Sequence, residues 1–181
     1  MTEPTVPPQF HGVHAAGAAP AQLFSRTDVL DLAALAARVG ETLVVSDWFA
    51  IDQARVNAFA EATEDRQWIH VHPERAAAGP FGATVAHGFL TLSMIPMFFE
   101  QSFPMDQLRM GVNYGLDRVR FPAPLAVGKR IRAHFKLLDV QAVPALPPAT
   151  QGAQLKFEVT IEAEGAAKPV CVAEPLVRWY T

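Results

Sequence analysis

One segment constrains the fold more than any other. From Gly88 to Gln101 the chain is apolar on nearly every side of a helix, with Phe89, Leu90, Leu92, Met94, Ile95, Met97, Phe98 and Phe99. A helix without a polar face has to be enclosed by other elements. The wider apolar run, Val85 to Phe99, is shorter than the roughly 20 residues a membrane span needs, and it contains His87, Gly88 and Pro96. The segment therefore reads as a buried helix, which Pro96 is expected to kink or to end early.

The C-terminal half of the chain supplies the enclosure. Arg130 to Leu137 and Gln154 to Glu162 alternate polar and apolar residues, the pattern of strands with one buried and one wet face in an antiparallel sheet. Arg109 to Phe121 reads as a further strand interrupted at Gly111 and Gly115, and Val170 to Tyr180 as another. Pro144 to Gly152 is a loop and Gly165 a turn. Ahead of the apolar segment, Ser25 and Thr27 are placed to cap a helix striped by Leu30, Leu32, Leu35 and Val39, with Gly40 at its end. Thr42 to Ile51 is β-rich. Asp52 reads as the N-cap of a second helix with Val56, Phe59, Ala60 and Thr63 on one face. Helices and strands are segregated along the chain, which predicts an α+β domain: an antiparallel sheet of about five strands wrapped around a central buried helix. Met1 to Phe24, rich in Pro, Ala and Gly, is expected to be a poorly ordered tail, leaving residues 25–181 as the domain.

Composition removes several classes of function. A net charge of -3 over 181 residues gives no electrostatic footprint for nucleic acid or an anionic membrane. Cys171, alone and flanked by Val170, Val172 and Ala173, reads as a small buried hydrophobe rather than a disulfide partner or nucleophile. The N-terminus lacks the cationic-then-apolar pattern of a secretory signal, so a cytoplasmic protein is expected. Six histidines include no His-x-x-x-His pair, so no metal site is expected.

The chemistry concentrates between Glu64 and Gly82, where periodicity fails and only Pro73 to Ala78 suggests a helical turn. Asp65 and His70, five residues apart at the end of a helix, can reach one small volume if the chain turns back. Adding water to a double bond needs such a pair, one group polarising the water and the other handling the second proton. Spacing alone equally allows Asp65 to cap the loop and His70 to lie at the surface.

At these residues the sequence resembles a family. Asp65-Arg66-Gln67-Trp68-Ile69-His70, then Val71-His72-Pro73-Glu74-Arg75-Ala76, Gly79-Pro80-Phe81-Gly82, Ala86-His87-Gly88-Phe89-Leu90-Thr91-Leu92 and Asn113-Tyr114-Gly115-Leu116-Asp117-Arg118-Val119-Arg120-Phe121-Pro122 resemble the MaoC-type (R)-specific enoyl-CoA hydratases, in the branch typified by nodulation protein N. The resemblance runs from about Ser25 to the C-terminus. It implies a hot-dog fold, a homodimer, an acyl-CoA or acyl-carrier-protein thioester as substrate, and a reaction without cofactor. It makes Asp65 and His70 the catalytic pair. Gly88 falls where a backbone N–H meets the thioester oxygen, a role a helix N-terminus suits because its N–H groups are unpaired. Ser93 falls where the family keeps a serine hydrogen-bonded near the pair. Val85, Ala86, His87, Asn113, Tyr114 and Gly115 fall in the motifs around the substrate.

One departure stands out: Glu64 occupies a position where the family has Gly. A positive φ there would strain it, and its carboxylate would perturb Asp65 if the two faced each other. His87 is expected to fix the start of the buried helix rather than to take part in chemistry, His72 to be a loop residue, and His134 to face solvent. Two other readings remain open: a hot-dog thioesterase, against which the Asp-x-x-x-x-His loop argues, and a non-catalytic acyl-thioester binder in which Glu64 has spoiled the site.

Overall fold

A computed structural model of the protein describes residues 31–103 and 108–181. The expected tail and the Ser25 and Thr27 caps lie outside the described residues. The first helix described, α1 (Leu32–Ala37), is capped by Asp31, whose carboxylate accepts from the N–H groups of Ala33 and Ala34. Leu35 carries its buried face, and Gly40, at φ 95°, turns the chain away from it.

The β-rich segment after α1 is broken into β1 (Thr42–Val45) and β2 (Phe49–Ala50). Both pair antiparallel with β4 (Arg130–Val143), so they form one edge with an interruption. Ser46 spans the break. Its N–H donates to the Ala133 carbonyl at 2.8 Å, and its hydroxyl accepts from the Ala133 N–H at 2.9 Å. The ladder thus continues while Asp47 and Trp48 leave it.

Helix α2 (Gln53–Thr63) starts where expected, the Asp52 carboxylate accepting from the Arg55 N–H. Val56 and Ala60 are buried, Phe59 is half-buried, and Thr63 is exposed instead of joining the apolar face. Two short helices come next, α3 (Trp68–Val71) and α4 (Pro73–Ala77), the second with Pro73 at its first turn as the sequence predicts.

The apolar segment is divided. Helix α5 (Gly88–Ser93) and helix α6 (Ile95–Ser102) meet at Met94, with Pro96 in the first turn of α6, where its missing N–H costs nothing. Burial is uneven: Leu90, Met94, Ile95, Phe98 and Phe99 are enclosed, while Phe89 is 67% exposed. The reading of a helix enclosed on all sides is therefore too strong: α5 exposes Phe89, and α6 buries one face while Pro96, Glu100 and Gln101 are exposed.

After α6 come β3 (Met110–Arg120), β4, β5 (Gly152–Ala163) and β6 (Cys171–Tyr180). All sheet pairings are antiparallel, in the order β1-β4-β5-β6-β3, and β2 makes six strands where about five were expected. Alternation of buried and half-buried residues along β5 from Ala153 and along β6 up to Trp179 gives one dry face. That face meets α6 through an aromatic cluster. The Phe99 ring lies 4.5 Å from that of Phe135 on β4, 5.2 Å from Phe157 on β5 and 6.4 Å from Trp179 on β6. Cys171 is fully buried at the start of β6, and burial pushes its thiol up to about 12. In β3 the register shifts between Asn113 and Gly115, beside one of the two glycines expected to interrupt it. This is the α+β hot-dog arrangement, a sheet packed on a central helix. His134 faces the outer side, half-buried rather than free, with Nε2 3.0 Å from Glu162 Oε1.

Phe99 touches three strands at once, so Phe99→Ala is expected to destabilise the fold by about 3–5 kcal/mol. Chemical denaturation of the variant checks this.

Candidate active site

The site forms where the end of α2, helix α3 and the start of α5 come together. Helix α2 ends at Glu64, the only non-glycine residue with positive φ among those described, at φ 61° and ψ 10°. A left-handed residue at a helix C-terminus reverses the chain and is usually glycine. The conformation suspected from the family's Gly is therefore real, and Glu64 adopts it. Its carboxylate is engaged by the Arg66 guanidinium, which also holds Glu61. The acid expected to trouble Asp65 is thus paired with a neighbouring cation.

The reversal lets Asp65 and His70 face one another. Ring nitrogens of His70 and His87 and a carboxylate oxygen of Asp65 all lie within 4.8 Å of each other. His70 is buried, whereas the Asp65 side chain is 55% exposed. His70 Nδ1 lies 2.6 Å from the Val85 carbonyl. A carbonyl only accepts, so Nδ1 carries the hydrogen and Nε2 of the neutral ring is left with its lone pair. The backbone of His70 is fixed as firmly. Its carbonyl accepts from Gln53 Nε2 at 2.7 Å, and the Gln53 Oε1 accepts from the Thr84 hydroxyl at 2.6 Å. The Val85 N–H donates to the Ile69 carbonyl at 3.0 Å, so the strap ahead of α5 is stitched to α3 on both sides. Burial, the largest influence, pushes the His70 pKa below its ordinary value of 6.5, and Asp65 opposes the shift.

Gln53 and Thr84 do not stand out in the sequence. A polar residue in the first turn of a capped helix is ordinary, and only the fold reveals what Gln53 clamps.

The other expected positions separate into groups. Val85 and Ala86 are buried and act through their backbone, the Ala86 N–H donating to the Leu125 carbonyl at 2.8 Å. Gly88 opens α5, and a Cβ built there would meet the Phe121 ring at 2.8 Å, so its lack of a side chain is what lets the ring approach. Ser93 does not bond to the pair. Its hydroxyl donates to the Phe89 carbonyl at 2.7 Å, and it lines a cavity of about 410 Å³ with Asn113, Gly115, Ile95 and Leu176. Tyr114 is apart from that cavity, stacked under the Arg178 guanidinium at 3.5 Å. His72 lies between α3 and α4, as expected of a loop residue.

His87 departs from its expected role. It precedes α5, but its side chain makes no capping bond. The ring turns back, with Nε2 2.9 Å from the Asp65 carbonyl and its face 3.8 Å from the His70 ring at an interplanar angle of 26°. An ion lying in the plane of one ring is well out of the plane of the other, so the stack suits hydrogen bonding better than shared metal ligation.

Comparison with known proteins identifies the family of the chain. Residues 34–154 match the MaoC like domain. The chain is 49% identical over 148 residues to 3-hydroxyacyl-thioester dehydratase Z of Mycobacterium tuberculosis, covering 82% of this chain and 95% of the relative. It is 44% identical over 154 residues to Nodulation protein N of Rhizobium leguminosarum bv. viciae, covering 84% and 90%. Among solved structures, the MaoC-like dehydratase from Rhodospirillum rubrum superposes with a TM-score of 0.62 at 20% identity, over 78% of this chain and 92% of that one. Fold and site together define a hot-dog domain with a clustered carboxylate and imidazole. The chain belongs to the MaoC-like domain family.

His70 is expected to titrate below 6.5, because burial disfavours its charged form. NMR of the ring C–H signals across pH, assigned with His70→Gln, measures the midpoint.

Proposed function

We propose that the protein catalyses the reversible hydration of trans-2-enoyl-thioesters to (R)-3-hydroxyacyl-thioesters, with acyl-CoA or an acyl carrier protein as the carrier and the cytoplasm as its place of action. One observation carries the reading: His70, its Nδ1 locked on the Val85 carbonyl so that Nε2 keeps its lone pair, has a ring nitrogen within 4.8 Å of an Asp65 carboxylate oxygen. An imidazole nitrogen and a carboxylate oxygen within 4.8 Å leave room between the two groups for one water at hydrogen-bond distances of about 2.8 Å. The name of the mycobacterial relative states the same chemistry in the dehydration direction.

In hydration, the water oxygen bonds to the β-carbon as one of its protons passes to the pair. The double-bond electrons move to the thioester oxygen, which develops enolate charge. The N–H of Gly88, which at the first position of α5 has no acceptor within the helix, is the group offered to that charge. The enolate collapses when the α-carbon takes a proton back from the pair, so a hydrogen and a hydroxyl have been added and nothing else consumed. Neutral His70, favoured by burial, is the form that can accept the first proton. Neither a free thiol nor a carboxylate is released, unlike the outcome of a thioesterase.

The same reading makes the protein a homodimer. Strand β3 ends the sheet, so its outer edge is unpaired among the described residues, and Met110, Tyr114 and Leu116 on it are exposed. An exposed edge of 11 residues calls for a partner, and a second copy would continue the sheet. Light scattering across a range of concentrations is expected to give twice the chain mass; a monomer throughout would remove this part of the reading.

Incubation with crotonyl-CoA is expected to consume the enoyl chromophore with no release of CoA, and the product should be oxidised only by a dehydrogenase specific for the (R) isomer. Asp65→Asn and His70→Gln should each lower turnover by about two orders of magnitude or more while the fold is kept. The double variant should cost less than the sum, because the two act on one water. Near wild-type turnover in both single variants would refute the roles given to this pair.

A further inference from the structure

His87 touches both members of the pair, and does so from the position just ahead of α5. Its Nε2 is 2.9 Å from the Asp65 backbone carbonyl, which can only accept, so this nitrogen bears the hydrogen. The same nitrogen is 4.0 Å from the Asp65 carboxylate. One face of the ring lies on His70, while Phe59 of α2 is tilted against it at 5.0 Å between ring centres. The His87 carbonyl accepts the Thr91 N–H at 3.1 Å, which anchors the residue in the first turn of α5 beside the Gly88 amide.

The remaining nitrogen, Nδ1, is buried and has no hydrogen-bond partner among the described residues. The whole residue is 2% exposed. An unpaired polar atom in the interior is a cost that a phenyl ring of similar size would not carry. Histidine at this place is therefore poor filler. What an imidazole offers and a phenyl ring does not is an N–H directed at the Asp65 main chain, combined with a flat face for His70.

We propose that His87 is a positioning residue that sets the registry between Asp65, His70 and the α5 N-terminus, its Nε2–H holding the Asp65 main chain and its ring face holding the His70 imidazole. The inference rests on the hydratase reading given above. Asp65 stands on the left-handed turn after α2 and is the exposed member of the pair, so it is the member most in need of a tether. Releasing it alters the distance between carboxylate and imidazole without touching the acyl chain.

Three substitutions separate the contributions. His87→Phe keeps the stack and removes the donor. His87→Gln returns an N–H near the height of Nε2, and His87→Asn places its amide too short to reach the Asp65 carbonyl. The expected result is a fall in kcat of about tenfold to a hundredfold for His87→Phe and His87→Asn, with KM little changed, as misplacement of reacting groups produces. His87→Gln should recover most of that loss. Equal kcat in His87→Gln and His87→Asn, or kcat within twofold of wild type in a folded His87→Phe, would overturn the proposal. A wild-type protein inactive on every enoyl-thioester tried would instead count against the hydratase reading. A crystal structure of His87→Phe or, failing that, of His87→Asn then decides the tether by itself: a displaced Asp65 main chain supports it and an unmoved one overturns it.

Discussion

The hydrogen bond from His70 Nδ1 to the Val85 carbonyl is the contact on which the local order of the site depends. It joins a side chain on α3 to the strap that leads into α5. One bond therefore selects the ring tautomer, fixes the ring's direction and sets where the buried helix begins. Gln53 and Thr84 reinforce it from the backbone side, and His70, Thr84 and Val85 are buried away from bulk water, where competition would weaken such bonds. The aromatic packing of α6 on β4, β5 and β6 serves the same end, since a helix fixed along its length has a fixed first turn.

Much of this is legible in the residues alone, and for identifiable reasons. Period-two alternation locates β4 and β5 because one face of that sheet is dry and the other is not. The apolar run locates the central helix because a segment with no polar face has few places to go. Glu64 in place of the family's Gly points to a left-handed residue, and φ 61° is what the chain adopts. Asp31 as the cap of the described helix α1 does not stand out in the sequence, because good capping residues are common there and residue type gives no way to rank them.

The features that escape sequence reasoning share a different character. His87 and Gln53 act through hydrogen bonds across 17 or more positions, to main-chain carbonyls of the kind every residue possesses, and Thr84 acts through Gln53. A carbonyl leaves no trace in residue identity, so neither spacing nor composition can reveal these partners. The split of the apolar segment is announced by Pro96, yet the exposure of Phe89 is not, since periodicity cannot tell a buried stripe from one that waits at a surface. Ser93 illustrates the converse: its place in the motif is plain, while its hydroxyl bonds to its own helix.

Cys171 gives the fold a reporter of its own. It is the chain's one cysteine, it lies wholly inside the sheet, and burial holds its thiol far from the reactive thiolate form. An alkylating reagent in solution can find it only when β6 parts from its neighbours. The rate at which a native sample takes up one label therefore counts openings of the sheet, with no engineered probe and no second site to confuse the record.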